Sequence, residues 1–70
     1  MRDPQPDDLG EVLFELTYVG AAVRVAAIHA ASGREAVVMG PASAATADLE
    51  RLALQKLKAQ LGRGAGPTER

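Results

Sequence analysis

The stretch Val12-Leu13-Phe14-Glu15-Leu16-Thr17-Tyr18-Val19-Gly20-Ala21-Ala22-Val23-Arg24-Val25 decides the fold. Val12, Phe14, Leu16 and Tyr18 alternate with Leu13, Glu15, Thr17 and Val19. That is the period of two of a β-strand, in a run dominated by β-branched and aromatic residues. The first strand is read from Glu11 to Val19. Gly20-Ala21 then predicts a two-residue hairpin, because the first position of a type II′ turn needs the positive φ that glycine adopts freely. This turn sets Val19 against Ala22, Tyr18 against Val23, Leu16 against Val25, Phe14 against Ala27 and Val12 against His29. One face then carries Val12, Phe14, Leu16, Tyr18, Val23, Val25 and Ala27. A slip of one residue would scatter that set over both faces.

Working outward, Ala22 to Ala30 is the second strand. Its alanines are weak strand formers, and a helix is possible on propensity alone. Val23, Val25 and the turn glycines on both sides argue against that. Ala31-Ser32-Gly33 is read as a three-residue loop with Gly33 in the left-handed conformation. The third strand, Arg34 to Met39, then sets Ala30 against Arg34, His29 against Glu35, Ala27 against Val37 and Val25 against Met39. A four-residue loop would shift this register by one. The shorter loop is preferred because it places Val37 and Met39 on the Phe14 face. Gly40-Pro41 is expected to end the strand.

A helix follows, roughly Ala44 to Leu61. Ser43 is the preferred N-cap, with Thr46 or Asp48 as later alternatives. Leu49, Ala53, Leu57 and Leu61 form an i, i+4 row, flanked by Leu52 on one side and Leu54 on the other. Asp48 and Glu50 near the start, and Lys56, Lys58 and Arg63 near the end, complement the helix dipole. Gly62 suits the position just past the helix. The expectation is an α+β domain over residues 10–62, a three-stranded antiparallel meander with one C-terminal helix on the Phe14 face (β-β-β-α). Residues 1–9 and 63–70 are expected to be disordered tails.

Seventy residues allow one domain. A chain this short buries only about 60% of the surface its unfolded form exposes, and such domains lean on disulfides, a metal or oligomerisation. There is no cysteine and a single histidine, so no disulfide, thiolate site or histidine-rich metal site can form. Fourteen of the residues are alanine and only Phe14 and Tyr18 are aromatic, so the core is built from small pieces. Oligomerisation is the support that remains. The polar start of the chain resembles no signal peptide and no apolar run is long enough to span a bilayer, so a cytoplasmic location and no membrane partner are expected. A net charge of −1 gives no overall attraction to nucleic acid or anionic lipid.

The face opposite Phe14 is expected to carry Leu13, Val19, Ala22, Ala26, Ile28, Ala36 and Val38, interrupted by Glu15, Thr17 and Arg24. An antiparallel sheet with one face in water usually alternates more cleanly. Leu13, Ala26, Ile28, Ala36 and Val38, with the helix flanks Leu52 and Leu54, are therefore the candidate interface. Arg24 is expected to pair with Glu15 across the strands. A symmetric homodimer is the expected partner arrangement.

Catalytic chemistry finds little footing. His29 is expected at the sheet edge beside Glu35, without the nucleophile and pocket a catalytic site needs. Ser32 is accounted for by a turn and Ser43 by a cap, and no hydroxyl lies in a nucleophile elbow or S-x-x-K arrangement. Gly62-Arg63-Gly64-Ala65-Gly66 follows a helix and lacks the G-K-[ST] ending of a phosphate loop. No catalytic residue, metal ligand or cofactor is assigned. Arg51, Lys56, Lys58 and Arg63 are basic, but only Arg51 and Lys58 share a helix face.

The run Gly10-Glu11-Val12-Leu13-Phe14-Glu15, the turn Ala31-Ser32-Gly33-Arg34-Glu35, and Gly40-Pro41 leading into Leu49-Glu50-Arg51-Leu52-Ala53-Leu54-Gln55-Lys56-Leu57 resemble a family of small uncharacterised bacterial proteins. The resemblance covers roughly residues 10–61 and implies neither an activity nor a catalytic residue. The expected role is a small non-enzymatic interaction or structural module that self-associates, with another protein as the alternative partner. The alternative is a nucleic-acid-associated accessory or regulatory protein of antitoxin type.

Overall fold

A computed structural model describes residues 9–63. It contains β1 (Val12–Val19), β2 (Ala22–His29), β3 (Glu35–Pro41) and α1 (Thr46–Arg63), in that order. The three strands form one antiparallel sheet, ordered β1-β2-β3. The β-β-β-α architecture is the one the sequence predicts. The expected tails at residues 1–8 and 64–70 lie outside the described residues. Leu9 packs against the core, although the sequence reading leaves it outside the domain.

The β1–β2 hairpin has the predicted register, from Val19 opposite Ala22 to Val12 opposite His29. Gly20 adopts a φ of 59°, the left-handed region where a Cβ is disfavoured.

The second hairpin differs from the expectation by one residue. Val25 stands opposite Val38, Ala27 opposite Ala36 and Ile28 opposite Glu35. The loop is Ala30 to Gly33, closed by the His29 amide donating to the Arg34 carbonyl at 2.8 Å. Gly33 still takes the left-handed conformation, with a φ of 77°. The shift exchanges the faces of β3. Ala36, Val38 and Gly40 lie on the Phe14 face, and Val37 and Met39 lie on the outer face. Ala36 and Val38 are therefore removed from the outer-face surface proposed from sequence.

The strand also continues through Gly40 and Pro41 instead of ending before them. Both residues have a physical reason to be there. The Ala42 amide donates to Ala21, and the His29 amide to Arg34, so β2 and β3 bond through alternate residues that include Gly40 but exclude Pro41. The missing proline N–H thus removes no bond from this ladder. Gly40 faces the helix at a point where a side chain would collide with Leu49.

The helix begins at Thr46, two residues later than the Ala44 start expected. Ser43 lies in the preceding turn, where the Ala44 amide bonds Pro41, and is not the N-cap. Ala45 occupies that place, and its carbonyl receives the Asp48 and Leu49 amides. At the other end the helix runs through Gly62 to Arg63.

The core consists of Val23, Val25, Ala27, Ala36, Leu49, Ala53 and Leu57. Alanine or glycine at inner positions 27, 36 and 40 lets the helix backbone approach the sheet closely. Leu49 meets Gly40, and Lys56 reaches back to Val37. The helix therefore retraces β3 in the opposite direction. It packs on β3 and β2. It does not extend equally over β1, whose inward-facing Phe14 and Leu16 are only half-buried and whose Tyr18 is 57% exposed.

Candidate interaction surface

The uncovered margin of the sheet follows from the order of contacts just described. Lys56 lies over the β3 edge, where its Nζ donates to the Val37 carbonyl at 2.8 Å. On a helix with a 100° step, Leu54 then falls on the opposite flank, turned toward β1. Leu54 is half-buried and packs against the core, whereas Leu52, on the β3 side, is 51% exposed. Leu61 lies on the same flank as Leu54 and is also half-buried. Phe14, Leu16 and Tyr18 on the sheet and Leu54 and Leu61 on the helix thus border one partly open apolar margin.

The backbone of β1 adds polar character to this margin. The Ala30 amide donates to the Glu11 carbonyl, so odd-numbered residues of β1 bond to β2. The N–H and C=O groups of Val12, Phe14, Leu16 and Tyr18 consequently point to the free side. Among the described residues, no hydrogen bond reaches them. The same parity on β3 sends the backbone of Glu35, Val37 and Met39 outward. There Lys56 takes the Val37 carbonyl, and the Pro41 carbonyl accepts the Ala44 amide. A proline on the edge strand and a lysine reaching onto it from the helix discourage further pairing. The edge of β1 carries neither.

The outer face is the second surface. Leu13 is 47% and Met39 59% exposed there, with Ile28 and Val37 half-buried. Ala26 lies on this face yet is fully buried. It is a small side chain on the central strand, flanked by Glu15 and Val37, and Arg24 nearby pairs with Glu35 at 3.5 Å and not with Glu15 as expected. Glu35 stands opposite Ile28, so the ion pair bridges the position of Ala26 and Val37 between them. Of the surface predicted from sequence, the structure therefore gathers Leu13 and Ile28 on the outer face, with Ala26 buried beside them. It places Leu52 and Leu54 on opposite helix flanks. Val37 and Met39 belong to the outer face, because the observed loop is one residue longer than the sequence suggests.

His29 does not face Glu35. Its Nε2 lies 2.9 Å from the Leu9 carbonyl and its Nδ1 2.7 Å from the Ser32 hydroxyl. The carbonyl can only accept, so Nε2 carries the proton and Nδ1 accepts from Ser32. Ser32 Oγ in turn receives the Arg34 amide at 3.1 Å. A histidine beside a serine is one element of nucleophilic chemistry. Here the half-buried His29 ends β2 and Ser32 lies in the exposed turn, and together they tie residue 9 to the loop. Among the described residues, no group of three acidic, histidine or cysteine side chains could hold a metal ion. No helix among them is long and apolar enough to cross a membrane. Three basic residues are engaged locally, Arg51 with Asp48 at 2.6 Å, Arg24 with Glu35, and Lys56 with Val37.

These features define a small β-β-β-α domain whose sheet is covered by its helix on two strands and open along the third. The sequence matches a family over residues 9–64, and the chain belongs to that family, described as a domain of unknown function (DUF6898). No curated protein and no solved structure matches it.

Proposed function

We infer that the domain is a small non-enzymatic interaction module that associates with itself. The observation that carries this reading is the offset of the helix toward β2 and β3, which leaves the Phe14, Leu16 and Tyr18 row half-covered. Completing the burial of such a side chain contributes on the order of 1 kcal/mol. Summed over two copies, that is substantial for a chain without disulfides and with an alanine-rich core. A chain without cysteine also suits a reducing compartment such as the cytoplasm. The nucleic-acid alternative has weaker support, because Arg24, Arg51 and Lys56 are each engaged by a neighbour in the same chain. Sedimentation equilibrium of the full chain tests the reading. A mass rising with concentration above that of one chain supports it, and a strict monomer at high concentration removes it.

A further inference from the structure

We propose that the partner is a second copy of this chain, paired antiparallel along the free edge of β1 about a two-fold axis at Leu16. The proposal rests on the self-association reading and adds the surface and the register. The product is one continuous six-stranded sheet, three strands from each copy, with both helices on the same side.

The choice of edge follows from the backbone. The edge of β1 offers N–H and C=O groups at Val12, Phe14, Leu16 and Tyr18, all with uncharged side chains. The edge of β3 is interrupted by Lys56 and ended by Pro41. An antiparallel partner must align even-numbered residues with even-numbered residues, because only those direct their backbone outward.

Charge and length then select among the permitted registers. An axis at Glu15 aligns residues 12–18 but sets the two Glu15 carboxylates directly opposite each other, which is destabilising. An axis at Phe14 or at Thr17 avoids that clash and shortens the shared ladder. An axis at Leu16 aligns residues 13–19 of both copies. It sets Phe14 against the other copy's Tyr18, Leu16 against itself and Glu15 against Thr17. The two aromatic residues of the chain then form two cross-strand aromatic pairs on the helix side. The Leu54 flank of each helix faces the extended apolar row.

The absence of native cysteine makes the register directly testable. Glu15→Cys and Thr17→Cys are prepared as separate full-length chains, mixed, exchanged and oxidised. In the proposed register positions 15 and 17 form a pair without direct hydrogen bonds, with Cα atoms about 4.5 Å apart. A disulfide accommodates that spacing. The expected result is a covalent dimer joining one chain of each kind, with little linkage of Thr17→Cys alone. Adding Leu16→Lys to both chains should abolish the linkage while circular dichroism remains that of the folded protein. Self-linkage of Thr17→Cys, or linkage of Thr17→Cys to Leu13→Cys, overturns the register, since these chains keep the Glu15 carboxylate that selects it. A non-covalent dimer that shows no linkage in the mixture overturns the edge pairing and leaves self-association standing. A strict monomer overturns both.

Discussion

Leu49 and Gly40 are packed so closely that a Cβ placed on Gly40 would stand 2.7 Å from Leu49 Cδ2. The contact joins the first turns of the helix to the last residues of β3, and Leu49 is itself 6% exposed. A glycine inside a strand ordinarily weakens it. Here it admits the side chain that seats the helix. Gly40→Ala should therefore destabilise the fold by about 1–3 kcal/mol, as overpacking does. In a Leu49→Ala background the same change should cost much less, because the colliding atoms are gone. Denaturant melts of the four proteins measure the coupling. Strict additivity would show that the contact is not what fixes the helix.

Lys56 satisfies an outward-facing carbonyl of β3 from the helix. Lys56→Met keeps most of the apolar stem and removes the donor. Because the bond is exposed, the stability loss should stay below about 1 kcal/mol. The larger effect should be on association, since an edge carbonyl is released. Light scattering at high concentration should reveal species heavier than those of the parent protein. An unchanged distribution would mean that Pro41 and Glu35 protect this edge without the lysine.

His29 fastens the β2–β3 loop to Leu9 through two bonds of one ring. His29→Ala should accelerate amide exchange at Gly33 and Arg34 and lower global stability by about 1 kcal/mol. Ser32→Ala should do less, because the bond from Nε2 to the Leu9 carbonyl survives. Equal effects of the two substitutions would place the constraint in the serine.

The sequence makes the fold legible wherever a turn leaves no freedom. Gly20-Ala21 closes a two-residue loop, and the whole β1–β2 register follows from it. Gly33 is left-handed whether its loop has three residues or four, so it fixes the turn without fixing the register. The preference for large side chains on the helix face led to Val37 and Met39, whereas the close helix requires Ala36, Val38 and Gly40. Pro41 held the missing information. With the shorter loop it would oppose Val23, a residue whose backbone bonds toward β3, and a ladder bond would be lost. The observed register sends its absent N–H outward. The partners of His29 were less accessible, since Leu9 lies 20 residues away. The lateral offset of the helix has no local sequence signal either. The Leu49, Ala53 and Leu57 row identifies the buried face, but which strands it covers depends on the close approach at Gly40. For that reason the outer face could be suspected from sequence, while the uncovered margin of β1 could not.

The central claim is that the uncovered β1 margin is where two copies meet. Sedimentation equilibrium of the parent chain beside Leu16→Lys and Met39→Lys tests it most directly. Leu16 is half-buried on the β1 margin, and Met39 is exposed on the outer face beside β3. The parent and Met39→Lys should sediment as dimers, and Leu16→Lys as a folded monomer. A dimer that survives Leu16→Lys but is lost with Met39→Lys would contradict the claim and move the interface to the outer face.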